Sequence, residues 1–477
     1  MSNLPESWVE CKLGEVCSKP QYGWTTKSNN KGKTKYLRTT DISNGKINWG
    51  KVPFCIDEPK DIEKYLVKAN DILVSRAGSV GVSFIIDETP QDTVFASYLI
   101  RFNPLKDISS KYIHYYFNSA DYWNAISENT AGIAIPNINA TKLSDLNIPL
   151  APMKEQIRIV AKLEKLLANV ETSHKRLETI PLILKRFRQS VLMQAITGEL
   201  TKDWRKQNPT IETTDEIIKK IKIELNALIK EGKIQKNNHN IDIDLENLPF
   251  DVPKQWIPIK ARYICHHITK GTTPKSEELN IEGDIPYLKV YNIVNNEINF
   301  NYKPQFVSKE IHEKFLARSK VYTNDVLMNI VGPPLGKIAI VPEQYKEWNI
   351  NQALAIFRPI SVLHYSFLYL VLTYDKTISN VLPETRGTAG QSNISLEQCQ
   401  NIVIPLPSLE EQQEIVKRVK ELFEKADRIE ERYKKAKTFT DKLTQSILNK
   451  AFKGELVSQD PSDEPASVLL ERIKETK

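Results

Sequence analysis

"IPLAPMKEQIRIV", residues 148–160, returns at residues 404–416 as "IPLPSLEEQQEIV", an offset of 256 (404 minus 148). Each copy opens as a short apolar run, turns at proline, and then changes to the three- and four-residue spacing of a helix. Glu155-Gln156 and Glu411-Gln412 occupy the first turn of that helix in the two copies. The helix ends repeat as well. "MQAITGEL" (193–200) and "NKAFKGEL" (449–456) put Gly198 and Gly454 where a chain leaves a helix through the left-handed region.

Working outward, "LPESWVECKLGEVC" (4–17) pairs with "VPKQWIPIKARYIC" (252–265), and "KYLRTTDISNGKIN" (35–48) with "PYLKVYNIVNNEIN" (286–299). "NDILVSRAGSVG" (70–81) answers "NDVLMNIVGPPLG" (324–336). A repeat this long is a duplicated domain rather than a solenoid unit, and its simplest arrangement is an internal pseudo-twofold. Within a copy, short runs rich in Ile, Val, Tyr and Phe bounded by turn residues predict strands, interrupted by a helical stretch at 109–127. The alternation is irregular, so the fold class is α+β.

After each proline the apolar residues form a stripe. Val160, Leu163, Leu167, Val170, Leu177, Leu184, Phe187 and Val191 are matched 256 residues on by Val416, Val419, Phe423, Ala426, Tyr433, Thr440, Leu443 and Ile447. Two stripes in one phase predict that the helices pair with each other as a coiled coil. Pro181, inside the first, has Lys437 as its counterpart. Between the copies, 213–242 predicts a Lys-rich helix followed by a polar linker.

Composition bounds the function without naming it. The 477 residues are 40% apolar and 26% charged with a formal charge of +7, which permits a nucleic-acid partner but does not demand one. No leader or membrane-spanning pattern is present, so a cytoplasmic protein with no membrane contact is expected. The five cysteines contain no Cys-x-x-Cys pair. "GPPLGKI" (332–338) is one residue short of a phosphate-binding loop, and "IHEKF" (311–315) does not complete a zinc-hydrolase His-Glu-x-x-His. No catalytic, cofactor-binding or metal-binding residues are expected.

The ordered, duplicated set "LPESW", "NDIL", "IPLAPMKEQ", "IPLPSLEEQ", "TGEL" and "KGEL" resembles the specificity subunit of Type I restriction-modification enzymes over nearly the whole chain. The resemblance implies two tandem target-recognition domains, separated by two long conserved helices packed as an antiparallel coiled coil. On this chain that places the recognition domains at 1–152 and 249–407, the helices at 153–200 and 408–456, a helical linker at 201–248, and a tail at 457–477 that matches the start of the linker. It further implies double-stranded DNA as ligand, read as two halves across a fixed gap. Two modification (methyltransferase) subunits, and two restriction/translocase subunits where present, would bring S-adenosylmethionine, ATP and Mg²⁺. A coiled-coil scaffold with duplicated protein-binding domains, or a fragment of a fused restriction-methylation enzyme, is the alternative.

Base reading needs hydrogen-bonding side chains, and phosphate contact needs cations. Three polar loops per copy supply them. The first holds Lys19, Gln21, Tyr22, Thr25 and Lys27, matched by Lys270, Thr272 and Lys275. The second holds Arg76 and Ser79, matched by Lys337. The third holds Asn137 and Asn139, matched by Arg386, Gln391 and Asn393. Arg38 and Lys289 are candidate phosphate contacts, while Trp8 and Trp256 read as core anchors.

Overall fold

The computed structural model describes residues 4–43, 46–88, 92–130, 137–209, 212–234, 250–332, 334–379 and 393–476. The chain forms two compact units, one of Met1–Thr179 with Tyr433–Lys477, the other of Ile180–Arg432. Both have the same mixed helix and strand topology, as the α+β reading requires.

In the first unit, Val9–Lys12 pairs antiparallel with Asn147–Leu150, the strand that leads into the first long helix. A four-stranded sheet runs in the order Gln21–Tyr22, Leu99–Phe102, Ile72–Ser75, Ser83–Ile85, and a second runs Thr93–Phe95, Lys35–Leu37, Phe54–Cys55, Ser28–Asn29. The second unit repeats the plan. Ile257–Lys260 pairs with Val403–Leu406, and one sheet has the order Cys265–Lys270, Leu354–Pro359, Val326–Asn329, Ile338–Ile340. The other is ordered Phe306–Val307, Ile285–Leu288, Trp348–Ile350, Lys320–Val321.

The "NDIL" and "NDVL" motifs have a structural explanation. Asn70 and Asn324 both sit at φ 70°, turning the chain into a strand whose residues are buried on both faces. The following Asp accepts a hydrogen bond from the backbone three residues earlier, Lys68 N at 2.9 Å or Tyr322 N at 2.8 Å. Each then pairs with an arginine of the neighbouring strand, Arg101 with Asp71 at 3.1 Å and Arg358 with Asp325 at 2.7 Å. A buried carboxylate needs that company.

The two long helices, Met153–Ile196 and Leu409–Phe452, are each 44 residues. The first half of one shares a core with the last half of the other, as antiparallel pairing demands. In the first unit, Ile159, Val160, Leu163 and Val170 lie in one cluster with Ile447, Leu448, Ala451 and Phe452, with Leu167 packed against it. His174 Nε2 stands 3.3 Å from Asp441. In the second unit, Val191, Leu192, Ala195 and Ile196 cluster with Ile415 and Val419, with Val416 and Phe423 packed against them. Ala426 is buried, and Leu177 and Tyr433 are half-buried.

One seam position differs from the sequence expectation. Phe187 is 38% exposed, and the inward place passes to Arg188, which pairs with Asp427 at 2.7 Å and Glu430 at 2.9 Å. Leu184 points inward, and at 100° per residue a step of four from it stays closer to the seam than a step of three.

The linker helix Thr214–Lys230 starts at a capping box, Thr213 with Glu216, and buries Ile217, Ile221 and Leu225 in the second unit. The final helix Ala466–Thr476 buries Ala466, Leu469, Leu470 and Ile473 in the first. The paired segments 216–222 and 468–474 thus cover equivalent places in the two units.

Gly198 and Gly454 both adopt φ 74°, and a side chain at either would meet a proline. A Cβ at Gly198 would fall 2.6 Å from Pro253 Cγ, and one at Gly454 would clash with Pro5 Cγ and lie 2.8 Å from its Cδ. Each helix ending therefore packs on the "LP" or "VP" that opens a copy. Gly454→Ala is expected to cost more than the roughly 1–2 kcal/mol of left-handed strain alone. Gly232→Ala, also left-handed but with open space around it, should cost only that strain. Urea unfolding of the two variants measures the difference.

Candidate nucleic-acid interface

In the first unit the three polar loops converge. Tyr22, at the end of the edge strand Gln21–Tyr22, accepts a hydrogen bond on its hydroxyl from Ala140 N at 2.9 Å. The Arg76 guanidinium lies over the Tyr22 ring, 4.9 Å from its centre, an arrangement that orients the cation without neutralising it. Arg76 O accepts from Ile138 N at 3.0 Å, and Ala77 bridges to Asn137. Ser75 Oγ donates to Ala77 O at 3.0 Å and Gly78 turns at φ 76°, which leaves Ser79 exposed at the loop tip.

The second unit joins the second and third loops in the same way. Ile394 N donates to Ile330 O at 2.9 Å, and Val331 bridges to Asn393. Thr272 N donates to Ile350 O at 3.1 Å, and its hydroxyl accepts from Arg318 Nε at 3.2 Å. Arg318 was not singled out from sequence; only the fold brings it to Thr272, 46 residues away.

Several candidates have work inside the fold. Gln21 donates to Lys64 O at 2.6 Å and accepts from Arg101 Nη2 at 2.5 Å. Asn139 caps the helix Ala140–Ser144 by accepting from Lys142 N at 2.8 Å. Lys337 Nζ donates to Ile293 O at 3.0 Å. Arg38 is held by Asp41 at 2.8 Å and by Ser28 Oγ at 3.0 Å. Lys19, Thr25, Lys27, Asn137, Lys270, Lys275 and Asn393 are exposed. Arg386 and Gln391 lie outside the described residues.

The copies differ at one matched cation. Arg38 N and Lys289 N each donate 2.9 Å to the residue three places on, but that residue is Asp41 in the first copy and Asn292 in the second. The Asn keeps the turn and drops the charge. Among the described residues Lys289 therefore meets no carboxylate, and burial alone pushes its ammonium below the usual lysine range.

Each unit also carries a buried clamp at the start of its long helix. Trp8 Nε1 donates to Glu155 Oε2 at 3.0 Å, and Trp256 Nε1 to Glu411 Oε2 at 3.0 Å. Gln156 and Gln412, both buried, tie the helix start to Ala151 O at 2.9 Å and Pro407 O at 3.0 Å. These tryptophans are the core anchors expected, and the recurring Glu-Gln pair beside a recurring Trp was the signal for their partners.

The model of the Type I restriction modification DNA specificity domain matches the sequence twice, over residues 5–182 and 253–437. The chain belongs to this family. Its curated relatives include the Type I restriction enzyme EcoBI specificity subunit of Escherichia coli, 30% identical over 493 residues, with 99% of this chain and 93% of that one covered. The EcoKI specificity subunit of Escherichia coli strain K12 is 29% identical, with 99% and 96% covered. The fold is shared with the HsdS subunit of Thermoanaerobacter tengcongensis, at a TM-score of 0.58 and 19% identity over 95% of this chain and 98% of that one. It is also shared with a chain solved in work on complex assembly and conformational transition of the type I R-M system, at a TM-score of 0.63 and 19% identity over 95% and 99%. As a Type I specificity subunit with two specificity domains, this chain is a recognition component rather than a catalytic one. No described helix is long and apolar enough to cross a membrane.

Proposed function

We propose that each unit reads one half of a split double-stranded DNA sequence, and that the paired helices set the unread gap between the halves. The observation that carries this reading is the convergence of three polar loops in the first unit, with the second and third loops joined in the same way in the second, in two copies of a DNA specificity domain. At 1.5 Å per residue a 44-residue helix is about 66 Å long, enough for nearly two turns of duplex. In the cytoplasm, two modification subunits would dock on this chain and methylate adenine within the site it selects. Restriction/translocase subunits would cleave DNA from the same assembly. S-adenosylmethionine, ATP and Mg²⁺ belong to those partners in this scheme.

Selection of duplexes from a randomised pool by the assembled methyltransferase tests the roles of individual residues. Arg76→Ala should change the bases required in one half only. Lys27→Ala should weaken every sequence alike and lower the salt slope by about one. Unchanged base requirements in Arg76→Ala would remove the Arg76 loop from the reading surface.

A further inference from the structure

The half-motif "IHEKF" finds in three dimensions the ligand it lacks in sequence. His312, in the short helix Lys309–Glu313, is fully buried, and its Nε2 lies 2.9 Å from Glu347 Oε2 and 3.9 Å from Glu313 Oε1. One ligand atom from each of the three residues lies within 4.8 Å of the others.

The other ring nitrogen decides what that proximity means. Asn349, in the strand Trp348–Ile350, satisfies its neighbours in one amide orientation, with nitrogen donating to Ser319 O at 2.8 Å and Leu316 O at 3.3 Å. Its oxygen then accepts from His312 Nδ1. With Nδ1–H given to Asn349, Nε2 donates to Glu347 when the ring is an imidazolium; in the neutral ring its lone pair and the carboxylate oxygen are two acceptors facing each other. A cation about 2.0–2.2 Å from both atoms resolves that conflict. An imidazole whose far N–H is held by an amide oxygen is also the arrangement that orients histidine ligands on metals. Lys320 Nζ takes Glu313 Oε2 at 2.5 Å and leaves Oε1 for the cation. Half-exposed Glu313 can close the remaining distance by a side-chain rotation.

We propose that His312, Glu347 and Glu313 form a binding site for one divalent cation of the zinc class, with a structural role. One imidazole and two carboxylates suit Zn²⁺, whereas Mg²⁺ and Ca²⁺ take all-oxygen sets. The site joins the helix Lys309–Glu313 to the strand that carries Asn349 and Ile350. Ile350 O holds Thr272 N, and Arg318, next to Ser319, holds the Thr272 hydroxyl. A bound cation would therefore steady the first polar loop of the second copy, a consequence that rests on the proposed reading of that loop. Among the described residues the first copy has no equivalent cluster, and beside Tyr36 it has Val94 where Asn349 stands beside Tyr287.

The test is titration of ZnCl₂ into the untagged full chain after chelator treatment, followed by calorimetry and elemental analysis. One Zn²⁺ per chain is expected, not two. Glu347→Gln, isosteric and partly exposed, should weaken binding by more than the roughly 10- to 100-fold that loss of an outer partner costs. Its circular dichroism should be unchanged. Absence of Zn²⁺ uptake, or uptake retained in both Glu347→Gln and His312→Gln, would overturn the site. Zn²⁺ uptake that leaves the selected DNA halves unaltered supports the site and separates it from recognition.

Discussion

Glu411→Ala should destabilise the second unit by about 3–5 kcal/mol, while Glu155→Ala should cost the first about 1–3 kcal/mol, although the two residues are repeat partners. Glu411 is 2% exposed, and its Oε1 accepts from Thr201 Oγ1 at 2.7 Å and from Arg205 Nε and Nη2 at 3.0 and 2.7 Å. The Arg205 guanidinium, itself mostly buried, lies over Trp256 at 5.6 Å. Removal of the carboxylate would leave an indole N–H and a hydroxyl without an acceptor, and a cation with the Gly198 carbonyl as its main acceptor, in a closed space. Glu155 has neutral donors at both oxygens, Trp8 at 3.0 Å and Gln459 at 2.7 Å. The nearby Arg158 is taken by Asp463 at 2.7 Å, and burial raises the Glu155 pKa above the ordinary glutamate value. Part of that burial cost disappears with the side chain. Denaturant unfolding followed by tryptophan fluorescence compares the two variants, and equal losses would contradict the asymmetry.

The second large effect is on specificity rather than stability. Deleting residues 171–177 together with 438–444 should shorten the unread gap of the target. The His174–Asp441 contact sets these two heptads opposite each other, and most of their residues are exposed, with Thr440 buried. Seven residues turn the helix through close to two full turns, so the remaining apolar residues keep their facing. Each helix loses about 10 Å, equivalent to at most about three base pairs of duplex. Deletions at 163–169 or 419–425 would instead remove Leu163 and Val419, which are core residues. Methylation sites with the original gap in the paired-deletion variant would refute the spacer role.

The duplication, the α+β class and the pairing of two long helices were legible because period and offset report backbone geometry directly. Arg188 in the seam was not, because choosing between steps of three and four depends on where Asp427 and Glu430 stand on the facing helix. Loop chemistry was the least legible. Gln21 and Lys337 look like surface polar residues until the fold brings Arg101 and Ile293 to them from 80 and 44 positions away. Asn139 was spent on a helix cap, a local role that its place before "ATKLS" already offered. The His312, Glu347 and Glu313 cluster joins two elements whose adjacency no local pattern records.

The most direct measurement for the whole account is a map of methylated adenines in the genome of a host that coexpresses this chain with its modification subunit. The account predicts a single two-part motif with a constant number of unspecified base pairs between its halves. A continuous motif, a variable gap, or methylation unchanged from a host lacking this chain would contradict it.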